Sequence, residues 1–326
     1  MKFKTSLLSL VATMLLASSC AQEAPQRPPI IGVAHAAYFT KDLENTREFF
    51  RDFLGYDEII TLPGRDTSPG ALPAMIAFKI NDRQMVEIFP EREAGTNRMY
   101  HFAIETTDAE AMRVYLKSKG FKVPDHTPKG RTGNSNFFVT DPNGTICEIV
   151  QYEPDGVNAR LFGQNLPDTR IAHRMSHVGF MVPDLDKAIE FYGGVLGFEE
   201  TWRGGPNDKI TWVHMKTPEG NETIEFMLYS SEPSWDRMGS MNHICLEVDD
   251  VFATKAILDQ RRMPAGLREP NGPNTGINRK RQLNYYNIDG TRVEIMEVNT
   301  IDGVPAESHV GKEPLRFVPR NTETAN

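Results

Sequence analysis

The chain has 326 residues, enough for two domains of ordinary size. An apolar fraction of 39% with 25% charged residues is the composition of a globular protein, and argues against a disordered chain or one built of membrane spans. A net charge of −8 and a longest basic run of only Arg279, Lys280 and Arg281 argue against nucleic acid as a partner.

The first 20 residues read as an export signal. Lys2 and Lys4 precede an apolar stretch at 7–17, broken only by Ser9 and Thr13 and too short to span a bilayer. Ala17, Ser18 and Ser19 then lead into Cys20. This end resembles a bacterial lipoprotein signal, which implies lipidation of Cys20 and attachment to a membrane surface. Cleavage after Ala21 by an ordinary signal peptidase is the other reading. The expected location is thus outside the cytoplasm, as a periplasmic or membrane-anchored lipoprotein or a secreted protein. Residues 21–30 are polar and proline-rich, as a tether would be. Cys147 and Cys245 are the other cysteines. Two cannot build a dense disulfide framework, so buried free thiols are expected.

From residue 31 the chain reads as strand, helix, three strands. The expected spans are 31–39, a helix at 43–54, then strands at 58–62, 74–80 and 84–89. The pattern restarts with a strand at 98–105 and a helix at 109–119, which Gly120 closes. Strands at 121–123, 135–140 and 145–152 complete it, the last two joined by the turn Asp141, Pro142, Asn143, Gly144. Residues 154–172 lack periodicity and read as a linker. A third unit at 173–229 opens with a strand bearing His177, a turn at Pro183 and Asp184, and an amphipathic helix at 184–192 stopped by Gly193 and Gly194. A fourth unit at 241–299 carries a helix at 251–261 and a turn at Asp289 and Gly290. Residues 300–326 form a polar tail expected on the surface or disordered.

The units repeat. Residues 34–56 align without a gap to 176–198, with His35 and His177, Asp42 and Asp184, Phe49 and Phe191, and Gly55 and Gly197 all 142 apart. His101 and His243 keep the same interval, as do Asp108 and Asp250. The chain is therefore a tandem duplication with domains at 31–153 and 173–299, each half itself a pair of similar α+β units.

Each unit places a His in its first strand and a Glu in its last: His35 with Glu87, His101 with Glu148, His177 with Glu225, His243 with Glu294. Each Glu sits between apolar neighbours, so strand alternation turns it to the opposite face from them. A buried bare carboxylate is costly unless a cation, a donor or water meets it. A lone strand His is usually an ordinary core or surface residue. Packing gives no reason for the same two residue types to return in four matching units. Two imidazoles and two carboxylates can hold a divalent transition metal and leave positions open for substrate.

The segments HVGFMVPDLDKAIEFYGGVLGF, NHICLEVDD, DPNGTICEI and IDGTRVEI resemble the vicinal oxygen chelate superfamily, and the resemblance covers about residues 31–299. That superfamily includes glyoxalase I, methylmalonyl-CoA epimerase, extradiol dioxygenases and bleomycin-resistance proteins. The resemblance implies four βαβββ modules forming two incomplete barrels. It implies His35, Glu87, His101 and Glu148 as metal ligands in the first half, and His177, Glu225, His243 and Glu294 in the second. Modules can also pair across halves or subunits. The implied cofactor is a divalent ion (Zn, Ni, Mn or Fe).

The implied activity is that of a glyoxalase-like lyase or isomerase acting on a small molecule with vicinal oxygens, through a metal-stabilised enediolate. A ligand carboxylate, Glu148 and Glu294 or else Glu87 and Glu225, would move the proton. The alternatives are an Fe(II) extradiol ring-cleavage dioxygenase and a non-catalytic small-molecule binding protein of the bleomycin-resistance kind. Glu at all four positions, with Phe138 and Asn284 where the dioxygenase pattern has Tyr, favours the lyase and isomerase branch. The loops 128–136 and 270–280 read as solvated, with a lid over an anionic substrate as the alternative. The methionines clustered from Met181 to Met241 read as core filling. Cys245, two residues after His243, shares its face of the strand.

Overall fold

Asp42, Asp108, Asp184 and Asp250 each lie in extended backbone just before a helix, and each carboxylate accepts a backbone N–H from the first turn. One capping device thus starts one helix in each of the four units. The computed structural model describes residues 24–91 and 99–318. The signal segment 1–20 and Cys20 lie outside the described residues, so lipidation stays an expectation.

The first half runs β1 (Ile30–Thr40), α1 (Leu43–Arg47) continuing as a π-helical segment (Glu48–Phe53), β2 (Glu58–Leu62), β3 (Met75–Lys79) and β4 (Met85–Pro90). It goes on with β5 (Met99–Thr106), α2 (Ala109–Ser118), β6 (Ser135–Thr140) and β7 (Ile146–Gln151). A one-turn helix, α3 (Val157–Arg160), lies in the connection. The second half runs β8 (Arg174–Val182), α4 (Leu185–Ala188) continuing as a π-helical segment (Ile189–Val195), β9 (Glu199–Gly204), β10 (Lys209–Ile210), β11 (Trp212–Lys216) and β12 (Thr223–Leu228). Then come α5 (Trp235–Met241), β13 (His243–Val248), α6 (Val251–Leu258), β14 (Asn271–Thr275), β15 (Lys280–Tyr286), β16 (Arg292–Thr300) and β17 (Glu313–Pro314).

Each half is one mixed sheet. The first has the order β2-β3-β4-β1-β5-β7-β6, the second β14-β15-β16-β13-β8-β12-β11-β9. At the middle of each, the opening strands of two units meet antiparallel, β1 with β5 and β8 with β13. Outside them lie the parallel partners that carry each unit's last strand. Modules therefore pair within a half. The His strands and the Glu strands form the four central positions of each sheet.

One core serves both halves. It runs from Ile30 and Phe53 through Phe102 and Phe180 to Tyr285 and Ile295. Phe102 stacks on Phe180 at 4.9 Å between ring centroids, Phe53 meets Tyr285 at 5.1 Å and Phe121 meets Phe191 at 4.8 Å. Phe102 follows His101 in the same strand and so points to the opposite face. Each His–Glu face thus turns away from the shared core.

Polar links between the halves are reciprocal. Asn143, in the turn before β7, bonds the backbone of Asp184 in both directions, 3.0 and 3.2 Å, at the start of α4. Asp289, in the matching turn before β16, accepts from Thr40 Oγ1 at 2.5 Å and Lys41 N at 3.0 Å at the start of α1. The buried amide of Gln84 both donates to Met175 O and accepts from Met175 N at 2.9 Å.

Three expectations need correcting. Residues 121–123 form no strand. Phe121 N–H instead bonds Leu116 O to finish α2 over left-handed Gly120, its ring packs on Phe191, and Pro124 brings no N–H for a ladder. Gly193 and Gly194 do not stop their helix. The π-helical segment carries the chain through them to Val195, and the turn comes at Gly197, φ +79°. The 270–280 loop contains β14, paired antiparallel with β15. Residues 303–318 of the tail lie at the surface. They run along the second half, with β17 parallel to β10 and Leu315 N bonded to Ile210 O at 2.9 Å.

Candidate metal centre

His35 stands on β1, Glu87 on β4, His101 on β5 and Glu148 on β7, all buried. The two imidazole Nε2 atoms are 3.1 Å apart. Glu148 Oε2 lies 3.2 Å from His35 Nε2 and 2.9 Å from that of His101. Glu87 Oε2 is 3.8 Å from each. The second half repeats the figure. His177 on β8 and His243 on β13 hold Nε2 atoms 3.1 Å apart. Glu225 Oε2 on β12 is 3.8 and 3.2 Å from them, and Glu294 Oε2 on β16 is 3.3 and 3.4 Å away. All eight expected ligands thus fall into two quartets, one to each half. Cys245 Sγ lies near His177 and Glu294, on the site face as its spacing requires.

Both quartets fit a divalent ion. Donor atoms that share an ion at about 2.1 Å lie roughly 3–4 Å from one another, which is the spacing found. The donors are nitrogen and carboxylate oxygen, a set suited to divalent first-row metals. At His243 the ring tautomer is fixed as well. Its Nδ1 lies 2.8 Å from Met241 O and donates to it, leaving the Nε2 lone pair turned to the other three residues. Gly179 makes room for this ring. A Cβ there would lie 2.0 Å from His243 Cε1. Ala37 occupies the matching place opposite His101.

Without a cation the groups charge one another. Burial opposes a charge on His35, but the carboxylates of Glu87 and Glu148 outweigh it and raise its pKa to about 9. Burial pushes Glu87 up. Glu148 is buried too, yet the charges and hydrogen bonds of His35 and His101 hold it well below the usual carboxylate range. In the second half burial lowers His177. Glu294 is held low against burial by the charge of Arg292 and by both histidines.

The surroundings of the two quartets differ. Asn136 Nδ2 donates to Glu148 Oε1 at 2.7 Å, and the rings of Phe138 and Phe89 flank His101 at 5.2 and 6.2 Å. In the second half His214 Nε2 meets Glu225 Oε1 at 2.9 Å, and Arg292 Nη2 lies 2.9 and 2.8 Å from the two ring nitrogens of His243. A cavity of about 50 Å³ opens there, lined by His177, Glu225, Glu294, Arg292, Trp202 and Trp212 among others.

The sequence matches the Glyoxalase/Bleomycin resistance protein/Dioxygenase superfamily twice, over residues 32–149 and 174–295. The chain belongs to that superfamily. Lactoylglutathione lyase GLX1 of Arabidopsis thaliana is 23% identical over 282 residues, covering 81% of this chain and 90% of the relative. The 2,3-dioxygenase LapB from Pseudomonas sp. KL28 has the same fold, with a TM-score of 0.62 at 18% identity over 90% of this chain and 98% of that one. The Mn(II)-bound glyoxalase from Novosphingobium aromaticivorans gives 0.61 at 16% identity, over 90% and 89%.

Three polar neighbours in this superfamily member escaped the reading of the sequence. His214 is the direct cross-strand partner of Glu225, which becomes visible only once the register is known. Asn136 reaches Glu148 from the adjacent strand, again through register. Arg292 was within reach of alternation alone, two residues before Glu294 on one strand. Ile146 at the matching place in the first half gave no repeat to point to it.

Proposed function

We propose that the chain is an exported, divalent-metal-dependent enzyme of the glyoxalase type, a lyase or isomerase that moves a proton at a carbon beside a carbonyl in a small substrate with vicinal oxygens. The observation that carries this reading is the pair of His–Glu quartets, each with its two Nε2 atoms 3.1 Å apart and two carboxylates within 3.8 Å of both. Export rests on residues 1–20 alone, with Cys20 as the lipidation site.

A divalent ion bound in such a quartet supplies Lewis acidity, polarising a carbonyl and stabilising the negative charge that develops on its oxygen. The protein's own part is to hold donors and to move a proton. Asn136 ties down the second oxygen of Glu148, and His214 that of Glu225. Among the described residues, Glu87 and Glu294 have no such tie. They are the carboxylates free to swing toward a substrate carbon and serve as general base and then acid. Burial, which raises the pKa of Glu87, favours that role at the first centre, because it brings the protonated form of its carboxylate within reach.

Purified protein assayed for metal content and for turnover of 2-hydroxy carbonyl compounds and thiol hemiacetals tests the proposal. Divalent metal with proton exchange at the α-carbon supports it. Iron with oxygen uptake on catechols would replace it with ring cleavage. No metal after reconstitution would replace it with a binding protein.

A further inference from the structure

Arg292 sets the second centre apart from the first. It precedes Glu294 by two residues on β16, so both side chains lie on the site face. Its Nη2 is almost equidistant from both nitrogens of the His243 ring, which places it over the ring face and leaves the Nε2 lone pair clear. No described carboxylate lies within 4.0 Å of this guanidinium. Its Nε is buried with no hydrogen-bond partner. Nearby Asn284, whose Cα pairs with that of Glu294 across the strands, has a buried Oδ1 in the same state. One donor nitrogen of a cation and one amide oxygen thus both lack partners beside one quartet. Unmet buried polar groups of this kind call for a ligand.

Charge says which ligand. With the histidines neutral, as ligands must be, two carboxylates and one guanidinium give the second centre one negative charge to set against an ion. The four candidate ligands of the first leave two, with Ile146 in the place of Arg292. A divalent ion therefore brings the first quartet to neutrality and leaves the second with a net positive charge. We propose that the second centre takes a small anionic chelator, a carboxylate with an oxygen on the neighbouring carbon (a 2-hydroxy or 2-oxo acid), whose charge is met by Arg292. Metal and anion then assist each other at that centre, because linkage between two bound species is reciprocal. Without the anion the second centre holds its ion more weakly than the first. The small cavity suits an acid of few atoms. This inference rests on the metal-binding reading above.

The test is a Mn(II) titration of the metal-free full chain, following free ion by electron paramagnetic resonance, with and without glycolate. The expected result is two ions per chain taken up in two steps about tenfold apart, with glycolate tightening the weaker step alone. In Arg292→Ile, which copies the first half, the steps converge and the glycolate effect disappears; Arg292→Gln gives the same outcome should the isoleucine variant fold poorly. His35→Ala, which disables the first centre, keeps the glycolate-sensitive step. Two indistinguishable steps in the native chain, or a glycolate response that survives both Arg292 substitutions, overturns the inference and leaves the metal reading standing. No bound Mn(II) at either centre overturns both.

Discussion

Glu87 and Glu294 share a chemistry with Glu148 and Glu225 but not a setting, and substitution separates them. Glu87→Gln and Glu294→Gln should each keep most metal and lower turnover at their centre by roughly 10²–10⁴-fold, read as kcat against metal content. His35 carries a pH dependence. Its raised pKa of about 9 means that it is protonated at neutral pH in metal-free protein, whereas a ligand must be neutral. Metal uptake by the first centre should therefore release about one proton near pH 7, and its affinity should climb with pH until about 9. Calorimetry in buffers of different ionisation enthalpy counts that proton. The same shift bears on stability. A histidine raised from 6.5 to about 9 on folding stabilises the metal-free fold fully below pH 6.5, and that contribution fades as pH rises through 9. Urea midpoints at the two ends of that range should fall accordingly. Gly179→Ala should displace the His243 ring and cost the second centre its ion, halving the metal per chain. At this scale the quartets were legible because four repeats marked His and Glu. The side chains that distinguish the two centres were not, because Ala77 and Ile146 stand where the second half has His214 and Arg292, and the partner position of Asn136 holds the longer Gln282.

The elements followed from caps and alternation where both were local. The 142-residue interval and the stop at Gly120 placed helices in the sequence, and the structure adds that an aspartate caps one helix in each unit. Local pattern failed where an element's edge was decided elsewhere. Residues 121–123 look like a strand, but the α2 terminus takes the N–H of Phe121 and the other half takes its ring. Residues 271–275 look like a loop, and β15 recruits them as an edge strand despite Pro273. The turns at Asn143 and Asp289 were readable as hairpins, though not as caps for helices in the opposite half. Asp289→Ala removes two short bonds to Thr40 and Lys41 and should destabilise the whole chain by about 1–3 kcal/mol in urea unfolding.

For the whole molecule, the shared core predicts that the halves do not melt apart. Phe102→Ala or Phe180→Ala opens a cavity where the two sheets' rings stack and should cost about 3–5 kcal/mol. Calorimetry should still record one transition, since neither half keeps a closed core without the other. The reciprocal latches have a consequence for the peptide that joins the halves. Lys79 already anchors that stretch to the first half by donating to the carbonyl of Gln164 at 2.7 Å, and Asp82 accepts from Gly163 N at 2.8 Å. Its covalent continuity contributes no cap, no ring stack and no donor to either quartet. A protease cut beside the surface-exposed Gly163 should yield two polypeptides on a denaturing gel that still migrate as a single particle under native conditions.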